Sequence, residues 1–243
     1  MNQTVLITGA SHGIGRAIAT AFAKAGNQLI ITCHHSKAAL LAFQKELEDT
    51  FHIDVLASIG DIGDYAYVER LFDEVSARFG GVDILINNAA ISHIGLLSDM
   101  SIGEWNRILH TNLTSVFSTS RLFSPYMVQQ KRGKIINISS VWGEVGASCE
   151  VAYSACKGGV NAFTKALAKE LAPSNVQVNA VACGIIDTRM NSCFSEEERQ
   201  LLAEEIPAGR FGTPDEVASF VLSLAVGNDY LTGQVIALDG GWT

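Results

Sequence analysis

At 243 residues, 48% of them apolar and 17% charged, the chain is long and apolar enough to bury a sizeable core. A formal net charge of −8 lacks the basic footprint that binds phosphate backbones or anionic lipid, so no nucleic-acid partner is expected. No stretch reaches the roughly 18 to 20 apolar residues of a membrane span and the start, MNQTVLITGA, has no basic leader, so no membrane partner and a cytoplasmic location are expected.

Along the chain, short β-branched runs alternate with segments of helical period. TVLIT (4–8) precedes an apolar-periodic stretch from Ile14 to Ala25, QLIIT (28–32) precedes Lys37 to Leu47, and DVLAS (54–58) precedes Tyr65 to Phe79. DILIN (83–87), KIINIS (134–139), VQVNAV (176–181) and QVIAL (234–238) continue the series with helical stretches between them. Strands that read as continuous apolar runs are buried on both faces, as in a parallel sheet covered by helices. The expected class is therefore α/β, a doubly wound, Rossmann-type, mostly parallel sheet of seven strands. No Pro/Ser-rich linker or repeat divides the chain, which is read as one domain over residues 1–243.

Directly after the first run comes TGASHGIGRAIA (8–19), a glycine-rich turn leading into a helix. Such a turn brings backbone N–H groups and the positive end of a helix dipole to one point, where a pyrophosphate sits without side-chain clash. Gly9 supplies the tight turn, Gly13 the close approach of the phosphates and Gly15 the contact of helix with sheet, and Ser11 and Ile14 complete the loop. Dinucleotide binding is expected. The carboxylate that grips a ribose 2′-hydroxyl would close the second strand, where Thr32, Cys33 and His34 stand instead. With His12, His34 and Lys37 offering positive charge to a 2′-phosphate, NADP(H) is favoured over NAD(H).

Cys33, Cys149, Cys156, Cys183 and Cys193 are odd in number and form no CxxC pair, which argues for reduced thiols over disulfides or a zinc ribbon. In CHH (33–35) adjacent residues of an extended segment point to alternate sides and no fourth ligand is evident, so no metal is expected.

The next landmark is GKIINISSVWGEVGASCEVAYSACK (133–157), where Ser140 ends a predicted strand thirteen residues before Tyr153, itself four before Lys157. SSVWG is not a GxSxG elbow, which excludes a serine hydrolase of that type. At i,i+4 the lysine lies on the tyrosine's helix face, where a cation favours phenolate and lowers a phenol pKa of about 10 toward the range useful for proton exchange. Gly158 and Gly159 then allow close approach of cofactor or a neighbouring helix. Val160, Phe163, Leu167 and Leu171 form an apolar stripe before Pro173, part of it available to a second subunit.

Taken with NNAA (87–90), the segment TNL around Asn112 and the tail from Gly209 to Thr243, these motifs resemble the short-chain dehydrogenase/reductase family over essentially the whole chain. The wording is most similar to its bacterial 3-oxoacyl-acyl-carrier-protein reductase branch. The resemblance implies Tyr153 as catalytic acid/base, Lys157 as its partner, Ser140 as the substrate-orienting serine and Asn112 as part of a proton relay. It implies Asp61 and Ile62 beside the adenine, Asn88 and Ala89 along the adenosine ribose, and Ile186 and Thr188 near the nicotinamide carboxamide. It also implies a homotetramer. Two departures stand out: Cys183 replaces the family's usual proline before Gly184, which puts the stiffness of that loop in question, and Ala90 replaces a glycine, which requires negative φ there. An acidic stretch, 187–207, suits a substrate lid.

The expected activity is hydride transfer between nicotinamide and a ketone or secondary alcohol. An acyl thioester on carrier protein is one candidate substrate, although the net charge opposes an acidic partner. A sugar, steroid or small secondary alcohol is another, and a non-catalytic NADP(H)-binding sensor is the alternative from a different class.

Overall fold

The structure, a computed structural model, describes residues 3–192 and 194–243, so Cys193 and the two opening residues of the leader reading lie outside the described residues. Strands β1 (Thr4–Ile7), β2 (Gln28–Cys33), β3 (Val55–Ile59), β4 (Ile84–Asn87), β5 (Gly133–Ser140), β6 (Val176–Cys183) and β7 (Val235–Leu238) form one sheet in the order β3-β2-β1-β4-β5-β6-β7. Every pairing is parallel. The helices are α1 (Gly13–Lys24), α2 (Lys37–Phe51), α3 (Tyr65–Phe79), α4 (Ile102–Leu109), α5 (Ser115–Gln130), α6 (Trp142–Val145), α7 (Val151–Leu171), α8 (Glu196–Glu205) and α9 (Pro214–Gly227). This is the doubly wound α/β Rossmann-type fold that the alternating pattern predicts.

Alternation along each strand builds two core layers. Val5, Ile7, Leu29 and Ile31 face Ile18 and Phe22 of α1, Leu40 and Phe43 of α2 and Val217 and Val221 of α9. Their neighbours Leu6, Ile30 and Leu85 face Val68 and Leu71 of α3, Phe123 and Met127 of α5 and Ala168 of α7. Because β1 pairs with both β2 and β4, the chain order reverses at β1, and a crevice opens beyond the carboxyl ends of these strands.

The middle of the sheet is also polar. Asn87 donates to Asn137 Oδ1 (2.9 Å) and accepts from Thr119 Oγ1 (2.7 Å), while Asn137 donates to Thr164 Oγ1 (2.8 Å). This buried chain ties β4 and β5 to α5 and α7, and no buried side-chain polar atom among the described residues lacks a partner. β6 runs past the predicted VQVNAV to Cys183, which lies in register with Ser140 on one side and Leu238 on the other. Pairing on both sides therefore fixes the backbone where a proline would have fixed φ. Ala90 is not among the positive-φ residues, so alanine is tolerated there.

Candidate active site

The crevice is a cleft of about 590 Å³, within the range of small-molecule sites. Gly9, Ser11, His12, Gly13, Ile14, Gly15, His34, Asp61, Ile62, Asn88, Ala89, Ser140, Tyr153, Lys157, Ile186 and Thr188 all line it. Asn112 does not.

At the floor, Gly9 adopts φ +69°, and a Cβ there would stand 2.9 Å from the Ala89 Cα. A Cβ on Gly15 would collide with the Gly9 carbonyl oxygen and the Asn88 amide. The turn is thus stripped of side chains where α1 begins, leaving a bare concavity of N–H groups that fits the diphosphate of a dinucleotide. Thr8, which the sequence reading passed over, holds the turn to β4: its Oγ1 accepts the N–H groups of Asn88 (2.9 Å) and Ala89 (3.0 Å). The Asn88 amide donates to the carbonyls of Thr8 (2.9 Å) and Gly9 (3.1 Å). That amide, expected along a ribose, is spent on shaping the turn. A polar residue closing an otherwise apolar strand was the signal for Thr8.

His12 is flanked by two hydroxyls, Ser11 Oγ at 2.7 Å from Nδ1 and Ser36 Oγ at 3.0 Å from Nε2. Burial holds its pKa below the ordinary histidine value, and Arg189 and Arg16 push the same way. Neutral His12 is thus a hydrogen-bonding group, not the cation expected from sequence. Arg189, at the start of the supposed lid, supplies positive charge instead and also lines the cleft. Beyond the end of β2, the exposed His34 and His35 rings stack at 3.8 Å. Asp61 Oδ1 accepts the Gly63 N–H (2.9 Å), so this carboxylate is partly occupied by its own turn.

At the other end of the cleft, β5 and α7 present Ser140, Tyr153 and Lys157. Lys157 is 3% exposed, and its Nζ donates to the Ile138 carbonyl at 2.7 Å and lies 5.5 Å from the centre of the Tyr153 ring. Burial lowers its pKa to about 8, with the thiols of Cys183 and Cys156 working in the opposite sense. The Tyr153 phenol is pushed above its ordinary value, chiefly by burial and then by the neighbouring Cys183 and Glu150, while a hydrogen bond with Ser140 works the other way. This corrects the expectation that the lysine depresses the phenol in the free protein: one of its protons is anchored on a carbonyl, and desolvation dominates. Ser140 Oγ also accepts the Trp142 N–H (3.2 Å), whereas the adjacent Ser139 turns toward α7 and donates to Asn161 Oδ1 (2.6 Å). The two glycines after Lys157 meet protein neighbours, since a Cβ would reach 3.3 Å from the Gly143 carbonyl oxygen at Gly158 and 3.0 Å from Leu113 at Gly159.

Asn112 lies in a π-helical turn, His110–Thr114, that joins α4 to α5. Its Oδ1 accepts the Ile91 N–H (2.8 Å) and its Nδ2 donates to the Ile91 carbonyl (2.7 Å). The amide thus clamps the segment after β4 with one N–H and one lone pair, which leaves a second N–H and a second lone pair for the expected relay, and the turn itself is of a kind frequent at functional sites.

The family model for short chain dehydrogenases matches residues 3–199. The Aquifex aeolicus protein named 3-oxoacyl-[acyl-carrier-protein] reductase is 42% identical over 97% of this chain and 95% of its own length. Its Thermotoga maritima namesake is 40% identical over 98% and 97%. A Bacillus subtilis protein named uncharacterized oxidoreductase YmfI is 37% identical over 100% and 99%. With the parallel sheet and its crevice, matches of this extent leave one conclusion: the chain belongs to the short chain dehydrogenase family and is an NAD(P)-dependent oxidoreductase.

Proposed function

We propose that the protein interconverts a ketone and a secondary alcohol with NADP(H) as coenzyme. The observation that carries this reading is the meeting of Ser140, Tyr153 and Lys157 in the same cleft as the glycine turn. A nicotinamide coenzyme held along the cleft by the glycine turn of Gly9, Gly13 and Gly15 would supply or accept the hydride. Burial keeps the Tyr153 phenol protonated in the free enzyme, which is the state needed to donate from Oη to the ketone oxygen. The Ser140 hydroxyl donates a hydrogen bond to the same oxygen as charge develops there. Lys157 Nζ, protonated below about pH 8, stabilises the phenolate that donation leaves behind. Asn112 contributes by holding Ile91 at the wall of the cleft.

Coenzyme preference follows from the end of β2, where no carboxylate opposes a 2′-phosphate and where His34, His35, Ser36 and the nearby Arg189 offer donors and charge. A non-catalytic sensor has no use for a phenol half-exposed to the cleft beside a buried lysine. The chain is read as one domain with a lid around 187–207, in which Met190 and Asn191 reach the cleft. A homotetramer is supported by Phe117 of α5, 46% exposed, and by half-buried Phe163 and Leu167 of α7. No helix among the described residues is long and apolar enough to cross a membrane.

The names of the relatives favour an acyl thioester on carrier protein, while a net charge of −8 opposes docking of an acidic carrier. A ketone panel that includes such a thioester, run with NADPH and NADH in parallel, tests the proposal. Coenzyme oxidation with at least one ketone, faster with NADPH, is expected. NADPH binding without turnover across the panel would favour the sensor.

A further inference from the structure

A second cavity, of about 80 Å³, shares Ser140 and Tyr153 with the main cleft but none of the glycine-turn residues. It is the place for the part of a substrate beyond its reacting carbon. Its walls mix polar groups, Ser92, Ser140, Glu150 and Asn191 among them, with the aromatic and apolar side chains of Trp142, Trp242, Phe194, Ile94 and Met190, and the two indole rings pack 4.8 Å apart at 58°. Apart from Tyr153, Glu150 is the one ionisable residue among its described lining residues.

Glu150 is oddly used. It is the N-cap residue of α7, yet its side chain makes no capping hydrogen bond, although helix N–H groups are the usual partners of a carboxylate in that position. It takes part in none of the ion pairs among the described residues. Instead it lines the cavity, half-buried, three residues before Tyr153 and so on the same helix face. Burial pushes its carboxyl above the ordinary value, and the hydrogen bond from Trp142 only opposes this. A partly desolvated carboxylate without a protein cation is costly until a ligand brings the opposite charge, and aromatic faces beside it add attraction for an ammonium group.

We propose that the substrate carries a cationic amine a few bonds from its reacting carbon, the ammonium seated on Glu150 beside the paired indoles of Trp142 and Trp242. This rests on the carbonyl-reducing reading of the cleft and narrows it. Thioesters of plain fatty acyl chains bring no cation to this position, while the acidic net charge of the chain attracts a basic substrate and repels an acidic carrier.

The test offers the purified protein NADPH and methyl ketones of matched length ending in an ammonium, a methyl or a carboxylate group. The ammonium ketone is expected to exceed the methyl ketone in kcat/KM by about ten- to a hundredfold, the range of one charge-assisted contact. Glu150→Gln brings that ratio to within about threefold of unity, and Glu150→Lys inverts the order in favour of the carboxylate ketone. Turnover of all three ketones without preference, or a preference unchanged in Glu150→Gln, overturns the amine subsite and leaves the reductase reading standing. No turnover with any of them overturns both.

Discussion

Replacing Thr8 by valine removes one oxygen from the floor of the cleft and almost no volume. Thr8 is 2% exposed, and its Oγ1 accepts two backbone N–H groups, of Asn88 at 2.9 Å and Ala89 at 3.0 Å. Its own proton points to the Ile86 carbonyl at 3.5 Å, a weak contact, because the Thr8 N–H already serves that oxygen at 3.1 Å. The loss therefore lies with the two donors. Each N–H stripped of its acceptor costs about 1–3 kcal/mol, and water entering from the cleft recovers part of it, so the variant should lose about 2–4 kcal/mol. For a chain of this length each kcal/mol corresponds to roughly 2–4 °C in Tm, which puts the drop at about 4–16 °C. Thermal unfolding followed by circular dichroism, beside an NADPH titration by fluorescence quenching, reads both consequences. Affinity falls too, because Asn88 and Ala89 line the cleft. Thr8→Ser keeps the acceptor and serves as the control. A valine variant that melts with the serine variant would refute the idea that this hydroxyl holds the glycine turn to β4.

Two further predictions concern charge. His34→Asp sets a carboxylate beside the expected 2′-phosphate position and should lower the NADPH to NADH ratio of kcat/KM by about ten- to a hundredfold; an unchanged ratio would show that the end of β2 does not choose the coenzyme. For the pH dependence, Lys157 loses its proton as pH rises through about 8, so kcat/KM for ketone reduction should be level near neutrality and fall about tenfold per unit above that value. A profile still level well above pH 9, in the absence of a change in rate-limiting step shown by solvent isotope effects, would remove the lysine from the mechanism.

What the sequence made legible was what depends on local chain properties. Continuous apolar runs such as VLI in β1 and ILI in β4 specify strands buried on both faces, and the glycines at 9, 13 and 15 announce a turn without side chains. Environment was harder to read. The spacing of Tyr153 and Lys157 correctly set both on one helix face, but it carried no information on burial, and burial reverses the expected direction of the phenol's shift. Likewise, nothing near Asn112 in sequence points to Ile91, the backbone group it clamps from 21 residues away. Arg189 lay hidden because its relevance depends on a loop folding back to His12, and the Asn87–Asn137–Thr164 chain because polar residues inside apolar strands find partners only once the sheet is assembled. Cys183 shows the reverse case: a residue that looked like a loosened loop lengthens a strand, since unlike proline it leaves the ladder intact.

The most direct measurement is NADPH oxidation by Tyr153→Phe with a ketone that the unmodified enzyme reduces, paired with NADPH binding by the same protein. Loss of a positioned general acid predicts a fall in kcat of about a hundred- to ten-thousandfold with coenzyme affinity retained. Turnover at the rate of the unmodified enzyme would contradict the account, because another group would then be delivering the proton.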